Sequence, residues 1–337
     1  MKMKQNRIKP DHYLKEFWKD NERFADLFNT VFFQNAMEVD PSKLKEMDTD
    51  LSSLISFNGY LETLGKTRDV IKKSDGINDY VVFAVESQME IHYGMPLRAM
   101  LYDALTYLKE VEMLQKKNRK EKGLRKAEFL SGLKKEDRIH PVITLVIYYG
   151  EKEWDGPKCL EDMMVPMSKD MKNIFSDYKM NLLQVTKSDD YEFRNQQNQD
   201  LFELSRKFFR GEFDLIERSY KRRVSQEAGI AIGLITGYEE LVDYSLERKE
   251  GIVMCEAVQK WKERERKLSR EAGRQEGMIE GREAGRQEGR IEGRIEGRIE
   301  GMQLAKKIFR LYQDGISIEE IAKQCEISIE EVKEILE

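Results

Sequence analysis

Asp69 and Glu86 are the two residues best placed to do chemistry together. Asp69 lies in Thr67-Arg68-Asp69-Val70-Ile71-Lys72-Lys73, and Glu86 in Tyr80-Val81-Val82-Phe83-Ala84-Val85-Glu86-Ser87-Gln88. The polar turn Ser74-Asp75-Gly76 separates them. Two β-rich runs around turn residues predict a hairpin or two neighbouring strands. Alternate residues of a strand share a face, which groups Glu86 and Gln88 with Val82 and Ala84, and Asp69 with Lys73. A register that aligns those faces brings one carboxylate from each strand to a single spot. Two acids so placed in a partly buried site cannot both ionise cheaply. A divalent cation removes that conflict, and Mg²⁺ suits it because it prefers carboxylate oxygen and keeps waters for a substrate phosphate. The competing reading is an acid at each of two strand ends, exposed and idle.

The elements that must position this pair follow from apolar spacing. Residues 1 to 20 read as polar and loosely attached. Phe24, Leu27, Phe28, Val31 and Phe32 recur at helical spacing after a cap at Asp20 or Asn21. A polar connector follows Pro41, and then Leu51 to Phe57 reads as a short strand. Met95 to Gln115 predicts a long helix from Leu97, Met100, Leu101, Leu105, Leu108 and Val111, with Pro96 in its first turn. Arg98, near that helix start, either reaches a substrate phosphate or forms an ordinary ion pair. Val142 to Tyr149 is an almost continuous apolar run and reads as a central strand buried on both faces. Residues 160 to 250 read as mostly helical, over Ile174 to Tyr178, Leu201 to Phe213 and Leu215 to Leu246, with a short strand near Met180 to Val185.

Asp69, Glu86-Ser87-Gln88, the helix opened by Met95-Pro96-Leu97-Arg98 with Tyr102 and Tyr107, and the Val142–Gly150 strand together resemble the Rpn family of recombination-promoting nucleases and putative transposases. That family belongs to the PD-(D/E)XK nuclease superfamily. The resemblance covers roughly residues 20 to 160, and the glycine-rich tail also has the look of the family. It implies an α/β fold with a PD-(D/E)XK nuclease-like core, an αβββαβ mixed sheet flanked by helices. It also implies a Mg²⁺- or Mn²⁺-dependent DNA endonuclease with recombination or transposase-like activity, in which Asp69 and Glu86 hold the metal. The superfamily's first helix often adds a metal carboxylate, for which Glu22 is the candidate. The competing reading of Glu22 is a solvated acid favoured by the helix dipole. Gln88 stands where the superfamily has Lys. Its amide can orient water but carries no charge, and Lys73 is the residue that would substitute. Trp154 occupies the place of a Trp that the family often carries, and reads as packing.

Composition narrows the partners. The chain has 337 residues, 36% charged and 40% hydrophobic, with a formal net charge of -5, so any basic footprint for nucleic acid must be local. One such footprint is Lys116 to Arg138, with ten Lys or Arg against four acids. Lys116, Lys117, Arg119 and Lys120 are its candidate DNA contacts beside Arg98, and a solvated charged face is the alternative. Cys159, Cys255 and Cys325 are widely spaced among only three histidines, which argues against zinc and a disulfide framework. No signal-like apolar region follows the basic start, and no apolar run is long enough to span a bilayer. The expectation is a cytoplasmic protein with no membrane contact.

The tail changes character. From Gly273 to Gly301 a glycine recurs at every fourth position, ending in three Gly-Arg-Ile-Glu units. A four-residue period drifts slowly round a helix, yet each Gly costs up to about 1 kcal/mol against Ala. The like charges Arg290, Arg294 and Arg298 sit four apart, as do Glu292, Glu296 and Glu300, and give no support. The stretch is either a self-associating helix or an extended spacer. Beyond it, Ser317 and Ser328 read as N-caps of a helix-turn-helix-like module. Glu330, Glu331, Glu334 and Glu337 make that module a dimerising or partner-binding cap in preference to a DNA reader.

The organisation expected is a polar segment (1–19), the nuclease-like core (20–160), a helical completion of the core or partner surface (161–265), the tetrapeptide repeat (266–301) and the small C-terminal module (302–337). Nuclease activity is one function this supports. The other is an inactive nuclease fold serving as a scaffold that forms homo-oligomers through its C-terminal region.

Overall fold

A computed structural model describes residues 8–49, 68–75, 80–121 and 124–337. The chain divides into two compact units, residues 1–261 and 262–337.

The first unit is a mixed α/β structure. Its five-stranded sheet runs in the order β1 (Leu44–Glu46), β2 (Val70–Asp75), β3 (Tyr80–Gln88), β4 (Val142–Tyr148), β5 (Asn181–Gln184). The pairs β1–β2 and β2–β3 are antiparallel, whereas β3–β4 and β4–β5 are parallel. A parallel neighbour needs a crossover. Between β3 and β4 the chain supplies the 27-residue helix α3 (Met95–Glu121), which packs across β4.

Strand parity sorts the sheet's two faces. Val70, Phe83, Val85, Leu145, Ile147 and Leu183 point to the main core, where α1 (Pro10–Trp18), α2 (Asn21–Phe33) and the helices Gln196–Phe209 and Gln226–Thr236 cover them. Ile71, Val82 and Ala84 form a cluster on the opposite face, as do Val146 and Tyr148 with Met95 and Trp154. Glu86 shares that second face through its register partner Val146.

Several expectations need correcting. The segment before residue 20 is not loosely attached among its described residues. Pro10 opens α1, and Leu14, Phe17 and Trp18 are buried in the main core. The Trp18 indole donates to the Tyr149 hydroxyl at 2.6 Å. Their spacing puts these three residues on one helical face, a signal masked by the polar composition around them. A strand forms at Leu44–Glu46, within the segment read as a polar connector, where only Leu44 is buried. The strand expected over Leu51 to Phe57 lies outside the described residues. The helix expected at Ile174 to Tyr178 lies instead at Lys169–Ile174, capped by Ser168. The short strand expected near Met180 to Val185 is β5, and residues beyond 160 also contribute to the main core.

In the second unit the long helix Met254–Gln313 ends, and Ile318–Cys325 and Ile329–Leu336 follow. Ile308, Ile321, Ala322 and Val332 form a small buried core, and Ser317 and Ser328 cap their helices by accepting the Glu320 and Glu331 amides. That long helix carries the repeat, and a Cβ added at any glycine from Gly273 to Gly301 would meet nothing within 4 Å.

Leu14 tests the place of α1. Leu14→Ala should cost about 3 kcal/mol, the usual size for emptying a well-packed leucine site. Urea unfolding measures it, and an unchanged midpoint would mean that α1 does not belong to the core.

Candidate active site

Val70 pairs with Val85, and the same register carried one residue outward sets Asp69 opposite Glu86. Asp69 sits just before β2, and its Oδ2 accepts the Ser87 amide at 2.7 Å, pinning that carboxylate to the end of β3. Glu86 is fully buried, and neither of its oxygens has a hydrogen-bond partner. The Arg98 guanidinium approaches from the first turn of α3, with Nη2 3.8 Å from Glu86 Oε2, an ion pair too long to count as a hydrogen bond.

A second guanidinium lies beneath. Arg68 is fully buried; its Nη2 donates to Asp103 Oδ1, while its Nε and Nη1 have no partner. Asp103, on α3, also accepts from Thr144 Oγ1 and from the Tyr178 hydroxyl, each at 2.6 Å. The Tyr102 ring lies near both cations, 5.5 Å from the Arg68 guanidinium carbon and 5.4 Å from that of Arg98. Arg68 is thus clamped by the sheet, by α3 and by the segment leading into β5.

These surroundings set the protonation. Burial, reinforced by the Asp69 charge, pushes the Glu86 carboxyl up to about 8, against the pull of Arg68 and Arg98. Burial also raises Asp69, while the Ser87 amide and Arg98 oppose it. His92 has a buried Nδ1 without a partner, and burial together with the Arg98 charge lowers its pKa. A neutral Glu86 is the form this pocket favours near neutrality.

The predicted site residues divide into those brought together and those kept apart. Asp69, Glu86 and Arg98 converge. Gln88 shares the Glu86 face two residues along β3, beside Tyr148 in the next strand. Lys73 has that parity too, but it pairs with Val82, four residues along β3 from Glu86, or about 13 Å. Its neighbour Lys72 turns to the other face, where it is buried and donates to Lys19 O and Asn21 Oδ1. Glu22 is exposed on α2 and lines a cavity with Asp26, Asn29 and Arg194. The first-helix acid whose charge acts on Asp69 is Asp11, on α1, and Lys15 of the same helix donates to the Arg68 carbonyl at 3.1 Å. Lys116, Lys117, Arg119 and Lys120 are exposed on the last turns of α3, roughly 30 Å along the helix from Arg98.

Asp11, Arg68 and Asp103 were missed in the sequence. Asp11 was recoverable from the Leu14, Phe17 and Trp18 spacing. Arg68 and Asp103 are 35 residues apart and carried no local signal.

Hard oxygen donors without hydrogen-bond partners fit Mg²⁺ or Mn²⁺. Both Glu86 oxygens qualify, as does the Asp69 oxygen that Ser87 leaves free. Among the described residues no cluster of three or more His, Cys, Asp or Glu side chains is arranged for a metal. The pair would have to share an ion with water, which Mg²⁺ tolerates.

A mixed α/β sheet protein with a buried carboxylate beside a second acid is the class that this fold and site define. The family model described as "Putative transposase, YhgA-like" matches residues 11–224, and the chain belongs to that family. This agrees with the resemblance to recombination-promoting nucleases and putative transposases. Comparisons with curated proteins and with solved structures found no match. Among the described residues no helix is long and apolar enough to cross a membrane.

The buried acid makes stability depend on pH. The fold holds a proton on Glu86 that the unfolded chain releases near its ordinary value of 4.5. This contribution is therefore complete below about 4.5 and is lost as pH rises through about 8. With chelator present, Glu86→Gln should melt higher than the native chain, by a margin that widens across this window. Thermal melts followed by circular dichroism would show it, and a margin that does not change with pH would refute the buried, protonated acid.

Proposed function

We propose that this chain is a metal-dependent endonuclease that hydrolyses DNA phosphodiester bonds on a PD-(D/E)XK nuclease-like core. The observation that carries the reading is Glu86, a carboxyl buried without a hydrogen-bond partner next to Asp69 and under a partly exposed arginine. A protein gains nothing in stability from such a group, so a ligand that uses its oxygens accounts for its presence. The antiparallel β2–β3 pair, the crossover helix α3 and the parallel β4 suit that core, and membership of a family described as "Putative transposase, YhgA-like" suits recombination chemistry.

Asp69 and Glu86 would hold Mg²⁺ or Mn²⁺, which when bound lowers the pKa of a water that attacks phosphorus. Glu86 must lose its proton to serve as a ligand. Arg98, once its pairing with Glu86 is relieved, is exposed enough to take a phosphate oxygen, with its guanidinium carbon 5.4 Å from the centre of the Tyr102 ring. The Gln88 amide can orient a water or a phosphate oxygen by hydrogen bonding. Arg68 keeps positive charge behind the carboxylates, where position 88 provides none.

Purified protein with supercoiled plasmid and Mg²⁺ should nick the DNA, whereas Asp69→Ala and Glu86→Ala should each lower the rate at least about 100-fold. Equal background from all three proteins would exclude the enzyme.

A second reading treats the fold as an oligomerising scaffold. It is favoured by Ile291, Ile295 and Ile299, exposed at four-residue spacing on the repeat helix, and by the glycine stripe on the opposite side of that helix, which leaves room for close approach by a second copy. Removing residues 273–337 should then reduce the assembly to monomers in sedimentation equilibrium. An unchanged mass would eliminate this role.

A further inference from the structure

The basic segment after α3 ends in an apolar tip. Phe129 is 79% exposed and Leu130 92%, side by side on the six-residue helix α4 (Lys126–Ser131). Scattered exposed apolar residues need no explanation. This pair is different because the chain commits a buried asparagine and several further polar side chains to holding it out. Asn118, only 2% exposed, donates from Nδ2 to Gly132 O at 3.1 Å and to Asp137 Oδ2 at 2.7 Å. The same Asp137 oxygen accepts the Lys134 amide at 2.7 Å, and Gln115 Nε2 donates to Ser131 O at 2.8 Å. Gly132, at φ +70°, lets the chain turn tightly against Gln115; a Cβ there would stand 3.1 Å from its Cγ. Glu128 closes the helix start by accepting the Arg125 amide at 2.8 Å. The tip is therefore fixed in place and does not fold back to bury its ring and methyls.

What surrounds it selects the partner. In a chain of net charge -5, Lys116 to Arg138 has ten cations against four acids, and Lys116, Lys117, Arg119, Lys120, Arg125 and Lys126 are all exposed. We propose that Phe129 and Leu130 form a wedge that enters a base step of duplex DNA while the flanking lysines and arginines hold its phosphates. Apolar side chains in a cationic frame can unstack and kink a duplex in this way. The inference builds on the nuclease reading, and α3 provides the ruler. Asn118 lies about 30 Å along that helix from Arg98, which corresponds to roughly nine base pairs of B-form DNA. One duplex lying along α3 spans both, so the wedge engages close to one helical turn from the bond at Glu86.

The test uses the full chain with chelator present, so that no DNA is cut, and a set of duplexes carrying 2-aminopurine at successive positions. Wild type should raise the fluorescence at one step. Phe129→Ser with Leu130→Ser should abolish that rise and weaken binding about tenfold, with its salt dependence retained. Lys116→Glu with Lys117→Glu should weaken binding to every duplex and flatten the salt slope by about two. All four side chains are exposed, so equal melting temperatures verify folding, and Phe129→Leu should retain most of the signal. Unchanged affinity and fluorescence in the serine variant would overturn the wedge. So would binding of the tip to phosphatidylserine vesicles with no 2-aminopurine response. A positive signal from a protein that does not nick plasmid leaves the wedge standing and removes the nuclease. Nicking without any signal does the reverse.

Discussion

Keeping a carboxyl group inside a sheet, out of reach of water and of any hydrogen-bond donor, is the constraint that shapes this molecule. Isolated burial of an ionised acid is far too costly, so the group must be neutral or matched by charge. The surroundings of Glu86 supply both possibilities. Arg68 and Arg98 bring positive charge from β2's threshold and from α3, and Asp69 brings the negative charge that tilts the balance back toward protonation. Arg68 is fixed by Asp103, and Asp103 by Thr144 and Tyr178, so the network ties strand β4, helix α3 and the segments leading into β2 and β5 together. Such buried networks are costly when incomplete, and here Arg68 Nε and Nη1 and both Glu86 oxygens are left without hydrogen-bond partners.

Much of this geometry could be read from residue order because strands have a simple period. Glu86 and Gln88 share a face by parity, whereas the register that sets Asp69 opposite Glu86 comes from the observed pairing of Val70 with Val85. The Val142–Tyr148 run was legible because a strand covered on both sides can be apolar at every position. Caps were legible for a similar local reason: Asp20, Ser317 and Ser328 each satisfy an amide a few residues ahead.

Periodicity says which face a residue occupies but not how far along it lies, and that is why Lys73 reads as a neighbour of the acids yet stands four residues away. It also cannot separate Lys72 from Lys73 in importance, although only Lys72 is fully buried, against Phe24 with its ammonium 4.8 Å from the ring. Strand β1 escaped notice because two of its three residues are charged and exposed. The Arg68–Asp103 pairing is purely tertiary. The family match ends at residue 224, so the repeat and its small capping core have to be understood from their own residues.

Counting formal charges in the pocket gives three acids, Asp69, Glu86 and Asp103, against two guanidiniums, Arg68 and Arg98. With Glu86 protonated the total is zero, and with Glu86 ionised it falls one short. A cation bound there would restore the balance once the proton is gone, and without one the acid ionises only as pH rises through about 8. At the proposed metal site hydrons and metal ions would be rivals for one seat, and acidity would act as a competitive antagonist whose potency is set by how deeply the sheet hides a single side chain.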